Sequence, residues 1–128
     1  LAGVPVPIGV DGKSLVPLLK GKQAVVREIL HGEHSPCYSK EQAYHFLTDG
    51  NMKYIWRPLD GSEQLFDLCH DPAELHDLSD RSDMSAMLTQ WRERLVTLLR
   101  NRPEGFVADG RLVAGREYPA TLPRLERE

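Results

Sequence analysis

Tyr44-His45-Phe46-Leu47-Thr48-Asp49-Gly50-Asn51-Met52-Lys53-Tyr54-Ile55-Trp56-Arg57 is the stretch on which the fold turns. Asp49-Gly50-Asn51 is a hairpin signal: glycine adopts the backbone angles a tight reversal needs, and the Asx side chains bond locally to the turning backbone. The residues on either side, 44–48 and 52–57, suit a pair of antiparallel strands. Side chains alternate across a strand, so Tyr54 and Trp56 share one face while Lys53, Ile55 and Arg57 share the other.

Downstream, residues 58–62 contain Asp60-Gly61 and form another turn, and residues 63–68 return as a further strand. Upstream, the mixed apolar run 25–30 supplies a fourth strand, continuing toward His31-Gly32-Glu33-His34 until Ser35-Pro36 breaks it. After Asp71-Pro72 the period changes. Met84, Met87, Leu88, Trp91, Leu95 and Leu98 fall on one helical face, giving a helix of about 20 residues. Ser82 suits its N-cap, Arg100 and Arg102 its C-terminal end, and Pro103 stops it. Period-2 aromatics in a meander pack against such a helix, so Tyr54, Trp56 and Phe66 are expected in the core with Trp91 as their partner.

The expected fold class is therefore α+β: a four-stranded antiparallel sheet packed against one long C-terminal helix, with a short N-terminal helix and an irregular tail. The short helix covers residues 15–19, capped by Ser14, with Pro17 in its first turn and Gly21 at its end. Leu1-Ala2-Gly3-Val4-Pro5 reads as the close of a preceding helix, so the chain is expected to be a piece of something longer. Three segments follow: a connector over 1–22, a subdomain over 23–103 and a Gly-, Pro-, Arg- and Glu-rich tail over 104–128.

Sixteen basic against 19 acidic residues provide no electrostatic footprint for nucleic acid. No run approaches the roughly 18 consecutive apolar residues of a membrane-spanning helix. Cys37 and Cys69 form no CxxC and assign no redox compartment.

Several segments, in order, resemble the C-terminal region of the sulfatase family within the alkaline-phosphatase-like superfamily. Leu1 to Pro5 with Asp11-Gly12-Lys13-Ser14-Leu15 and Pro17-Leu18-Leu19 looks like the stretch that leaves the family's large domain. Tyr44-His45-Phe46, Thr48-Asp49-Gly50 and Lys53-Tyr54-Ile55-Trp56 are similar to its C-terminal hairpin. The most specific match is Glu63-Gln64-Leu65-Phe66-Asp67-Leu68 followed by Asp71-Pro72, Glu74 and Leu78, with Asp77 where the family more usually has Asn. The resemblance runs to about Trp91. It implies a hydrolase of sulfate esters that uses a formylglycine, made from Cys or Ser in a Cys/Ser-x-Pro-x-Arg motif, beside a calcium-type divalent ion. Neither cysteine nor any serine here has that motif, so no catalytic residue, cofactor or metal ligand is assigned to this segment. The partners implied are the chain's own N-terminal catalytic domain and a sulfated small molecule or glycan. Two alternatives stand beside this: the same subdomain in a phosphoester or phosphonate hydrolase of the superfamily, and an autonomous α+β interaction module.

The candidate site lies in His31-Gly32-Glu33-His34. On a strand His31 and Glu33 point one way and His34 the other, so the three do not make a facial metal site unless Gly32 bends the strand as a bulge. The remaining readings are a structural or solvated role and a strand end at the cleft. His31, Glu33 and His34 are taken as the candidate substrate contacts. Cys69-His70-Asp71 reads as a strand-end loop, since a nucleophile and its base converge in space rather than in sequence. Arg92, Arg94, Arg100 and Arg102, interrupted by Glu93, read as a solvated helix surface.

Overall fold

The computed structural model describes residues 12–22 and 25–120. The helix-stop reading of residues 1–5, Asp11 of the leading turn and the last eight residues of the tail lie outside that range. In chain order the elements are α1 (Val16–Leu19), β1 (Leu30–His34), β2 (Tyr44–Thr48), β3 (Met52–Trp56), β4 (Glu63–Asp67), α2 (Ser85–Leu99), β5 (Val107–Ala108) and β6 (Arg111–Leu112). The fold is α+β, with β1–β4 in one antiparallel sheet of order β1-β2-β3-β4.

The hairpin forms as its turn residues dictate. Asp49 Oδ1 accepts the amides of Asn51 at 2.9 Å and Met52 at 2.8 Å, and Gly50 takes φ +91°. The next turn repeats the device, Asp60 Oδ1 accepting the Ser62 amide at 2.9 Å. The fourth strand lies later than expected. The strand begins at Leu30, which pairs with Thr48, the last residue of β2, and the ladder continues unbroken to His34 opposite Tyr44.

One face of the sheet carries Leu47, Tyr54, Trp56 and Leu65, which pack with Trp91, Leu95 and Leu99 of α2 and with Phe106. Tyr54 and Trp56 are buried as expected. Phe66 is buried too, but it pairs with Lys53 and so occupies the opposite face with Phe46 and Ile55, away from the helix. On that face Lys53 Nζ reaches both Glu74 oxygens, at 2.9 and 2.7 Å.

The helix is shorter and rotated relative to the expected stripe. A 3₁₀ turn over Ser82–Met84 precedes it, so Ser82 lies inside that turn and makes no cap. Met87 and Leu98 stay largely exposed; the buried line is Trp91, Leu95, Leu99, spaced by four residues. Three of the four arginines are engaged rather than solvated: Arg102 pairs with Glu33 and Glu104, and Arg94 lies 4.6 Å over the Trp91 ring. Arg92 grips Glu63 at 2.7 and 2.6 Å, and the Tyr54 hydroxyl donates to the same carboxylate.

The family-like stretch 63–78 closes on itself. Asp67 accepts the amides of Cys69 and His70 and bonds the His70 imidazole, while Asp71 accepts the His76 amide at 2.7 Å. Asp77 Oδ1 accepts the Leu65 amide at 3.1 Å, and the Leu78 amide donates to the Leu65 carbonyl at 2.8 Å. An Asn would offer the same oxygen, so the exchange at this position keeps the bond.

In α1 the Ser14 hydroxyl accepts the Val16 amide at 3.3 Å. Its end is a Schellman closure, with the Lys22 amide on Pro17 and that of Gly21, at φ +63°, on Leu18. The segment after Pro103 is built into the body. Phe106 is fully buried, β5 and β6 pair, and the Gly115 amide donates to the Pro58 carbonyl at 2.8 Å.

Candidate functional site

Residues on β1 alternate as a regular strand requires, and this sorts the three candidates into two places. His31 and Glu33 pair with Leu47 and His45 and share the helix-side face, whereas His34 pairs with Tyr44 and lies on the other. Gly32 forms no bulge. Its missing side chain makes room for the Phe46 ring across the ladder.

On the helix-side face the strand pairing brings in a histidine that the candidate set lacks. His45 is completely buried, and its Nδ1 lies 3.2 Å from His31 Nε2 and 3.5 Å from Glu33 Oε2. The ring centroids of His31 and His45 are 5.4 Å apart with a 15° interplanar angle. Arg102, just beyond α2, places Nη1 3.2 Å from Glu33 Oε2 and binds Glu104 through Nε at 3.1 Å and Nη2 at 2.7 Å. Trp56, Phe106 and Tyr118 enclose His45, at 5.9, 5.1 and 5.4 Å between centroids. His45 Nε2 and the Tyr118 hydroxyl are buried without a hydrogen-bond partner among the described residues.

Burial dominates the electrostatics here. It lowers the His45 pKa from 6.5 to about 3, with the neighbouring His31 and Arg102 adding to the effect and Glu104 opposing it. Burial also lowers His31, against the attraction of Glu33. The Tyr118 phenol is raised, first by burial and then by the Glu33 charge. At neutral pH both imidazoles of the cluster are thus uncharged.

His34, on the other face, stacks on Tyr44 at 5.5 Å and 12°, and its Nδ1 is buried without a partner among the described residues. The two rings border an open hollow of about 570 Å³, whose wall includes Tyr38 and Arg57. Arg57 Nη1 donates to Gln64 Oε1 at 2.8 Å.

Neither thiol enters such a constellation. Cys37 Sγ is 2.9 Å from Ser35 Oγ, and Cys69 Sγ is 3.3 Å from Asn51 Oδ1. His70 turns its Nδ1 to Asp67 at 2.8 Å rather than to Cys69. Among the described residues, the group of three or more potential metal-ligating side chains is His31, Glu33 and His45, which includes no cysteine. Neither Cys37 nor Cys69 belongs to that group, and neither stands in a Cys-x-Pro-x-Arg sequence.

His45, Arg57, Arg102 and Tyr118 are the site residues that sequence reasoning missed. The alternation of His45 with Leu47 marked it as inward-facing. Its meeting with His31 depends on the β1–β2 register, which the connection over residues 35–43 does not reveal.

No family model matches the chain. It is 32% identical over 120 residues to an arylsulfatase of Clostridium perfringens, a match covering 94% of this chain and 24% of that protein. The chain thus spans about a quarter of the length of that relative. A 2-O GAG sulfatase superposes with a TM-score of 0.70 at 23% identity, covering 81% of this chain and 23% of its own. A protein solved with its substrate D-glucosamine-2-N,6-O-disulfate gives 0.68 at 19% identity, over 79% and 22%. The phosphonate monoester hydrolase of Agrobacterium radiobacter gives 0.58 at 25% identity, over 70% and 20%.

Proposed function

We propose that this chain, which resembles the C-terminal region of the sulfatase family, is the α+β subdomain of a hydrolase that cleaves sulfate esters. The observation that carries the reading is 32% identity spread over 94% of the chain. In the full-length protein the segment is scaffold and part of the cleft's rim. Its partner is the protein's own N-terminal catalytic domain, where the formylglycine and the divalent ion belong. The substrate is a sulfated small molecule or glycan. Leu15, Leu19, Val25 and Leu30 are exposed, and apolar groups gathered in one stretch of chain favour burial against a neighbouring domain.

Among the candidate contacts, His34 is the one proposed to meet substrate. It faces a hollow that offers an aromatic stack for a sugar ring and the Arg57 guanidinium for a sulfate group. His31 and Glu33 lie on the opposite face, where they hold β1 against the segment that follows α2. The burial of Phe106 in the same core supports a subdomain that runs past residue 103.

The test is the full-length protein assayed with matched aryl sulfate, aryl phosphate and aryl phosphonate esters. The sulfate ester should show the highest kcat/KM, and the isolated 128-residue chain should turn over none of them. Preference for the phosphonate would move the parent to the chemistry named for the Agrobacterium neighbour, which this chain matches with the lowest TM-score of the three.

A further inference from the structure

We propose that His31 Nε2, His45 Nδ1 and a Glu33 carboxylate oxygen form a binding site for a divalent transition-metal ion of the zinc type.

The geometry is the first argument. All three ligand atoms lie within 4.8 Å of one another, with the two nitrogens 3.2 Å apart and His45 Nδ1 3.5 Å from Glu33 Oε2. Around a tetrahedral zinc with Zn–N and Zn–O distances of about 2.0–2.2 Å, neighbouring ligand atoms stand roughly 3.3–3.5 Å apart. Two edges of that polyhedron are therefore already formed, and small rotations of the half-exposed His31 and Glu33 side chains complete the third.

The donor set is the second argument. Two imidazoles and one carboxylate suit zinc, cobalt or nickel and supply too few oxygens for calcium. His45 is fixed by the rings around it, whereas the Glu33 side chain is 31% exposed, leaving water a route to the open coordination positions. Arg102 is the obvious objection, since it carries a positive charge next to a proposed cation site. It is shared, however, between Glu33 and Glu104, so one guanidinium faces two carboxylates and the cluster retains negative charge. Its contact with Glu33 Oε2 then acts as an outer-shell bond that orients a ligand carboxylate. An ion bound there would clip the edge strand β1 to β2.

The experiment uses the 128-residue chain, free of any affinity tag and stripped with chelator, titrated with Co²⁺ and followed by visible absorption, with Zn²⁺ as competitor and Ca²⁺ as control. One Co²⁺ should bind per chain, be displaced by Zn²⁺ and be unaffected by Ca²⁺. His31→Gln and Glu33→Gln, both at part-exposed positions and checked for native circular dichroism, should each weaken binding tenfold or more. His70→Gln with His76→Gln should leave it unchanged. Absence of stoichiometric binding, weak binding at several sites, or binding that survives His31→Gln and Glu33→Gln would overturn the proposal.

Discussion

Gly32 and Phe46 face each other across the β1–β2 ladder so closely that a Cβ on Gly32 would stand 2.1 Å from Phe46 Cε1. The glycine is thus required by packing, not by backbone conformation. Gly32→Ala should destabilise the chain by about 1–3 kcal/mol, the usual cost of overpacking a filled site. Shortening the ring in a Gly32→Ala/Phe46→Leu double variant should recover part of that loss. Urea unfolding of the four species of this cycle measures the coupling; additive effects would show that the ring is not the obstacle.

Glu63 serves two donors at once, the Arg92 guanidinium and the buried Tyr54 hydroxyl. Removing the carboxylate strands a buried hydroxyl, so Glu63→Ala should cost about 1–3 kcal/mol. Arg92→Ala removes a side chain that is 37% exposed, so solvent screening limits its loss to about 0–1 kcal/mol. The predicted order, Glu63→Ala worse than Arg92→Ala, is read from paired denaturation midpoints.

His45 makes stability depend on pH. Its folded pKa of about 3 lies below the ordinary 6.5, so between these values the unfolded chain binds a proton that the folded chain does not. Stability is therefore unaffected by this group above about pH 6.5 and falls as pH drops below it, at up to about 1.4 kcal/mol per pH unit. His31, lowered in the same direction, adds to the slope. The window from pH 6.5 to 5 is informative because the lowered aspartates lose their contribution only near and below their own ordinary value of 3.8. His45→Gln should flatten the profile there, even if it lowers the plateau. An unchanged slope would place the titration elsewhere.

Phe106 packs on His45, Trp56 and Tyr118 from the segment after the helix. Phe106→Ala should cost about 3–5 kcal/mol, as for other fully buried aromatics. A chain ending at Pro103 should lose its cooperative thermal transition; a truncated chain that melts as sharply as the parent would make 104–120 dispensable.

The parts of the fold that local chemistry dictates were legible in the sequence. Asp49-Gly50 and Asp60-Gly61 each place a turn where side-chain oxygens can bond to backbone amides, and the alternation of Tyr54 and Trp56 identifies their shared face. The start of β1 was not legible, because the end of β2 at Thr48 decides it rather than the apolar character of residues 25–29. The residue type of Phe66 suits the helix side, whereas its register opposite Lys53 sends it to the other. The site divides in the same way. The separation of His34 from His31 and Glu33 follows from strand alternation alone. The meeting of His31 with His45 and of Glu33 with Arg102 depends on long-range packing, and no local pattern announces it.

Under the proposed function, this segment shapes substrate binding and supplies no nucleophile. Steady-state kinetics of His34→Ala in the full-length protein with an aryl sulfate test this role most directly. KM should rise with kcat nearly unchanged. A kcat lowered a hundredfold or more at constant KM, equivalent to about 2.7 kcal/mol of lost transition-state stabilisation, would place His34 in the chemical step and contradict this role.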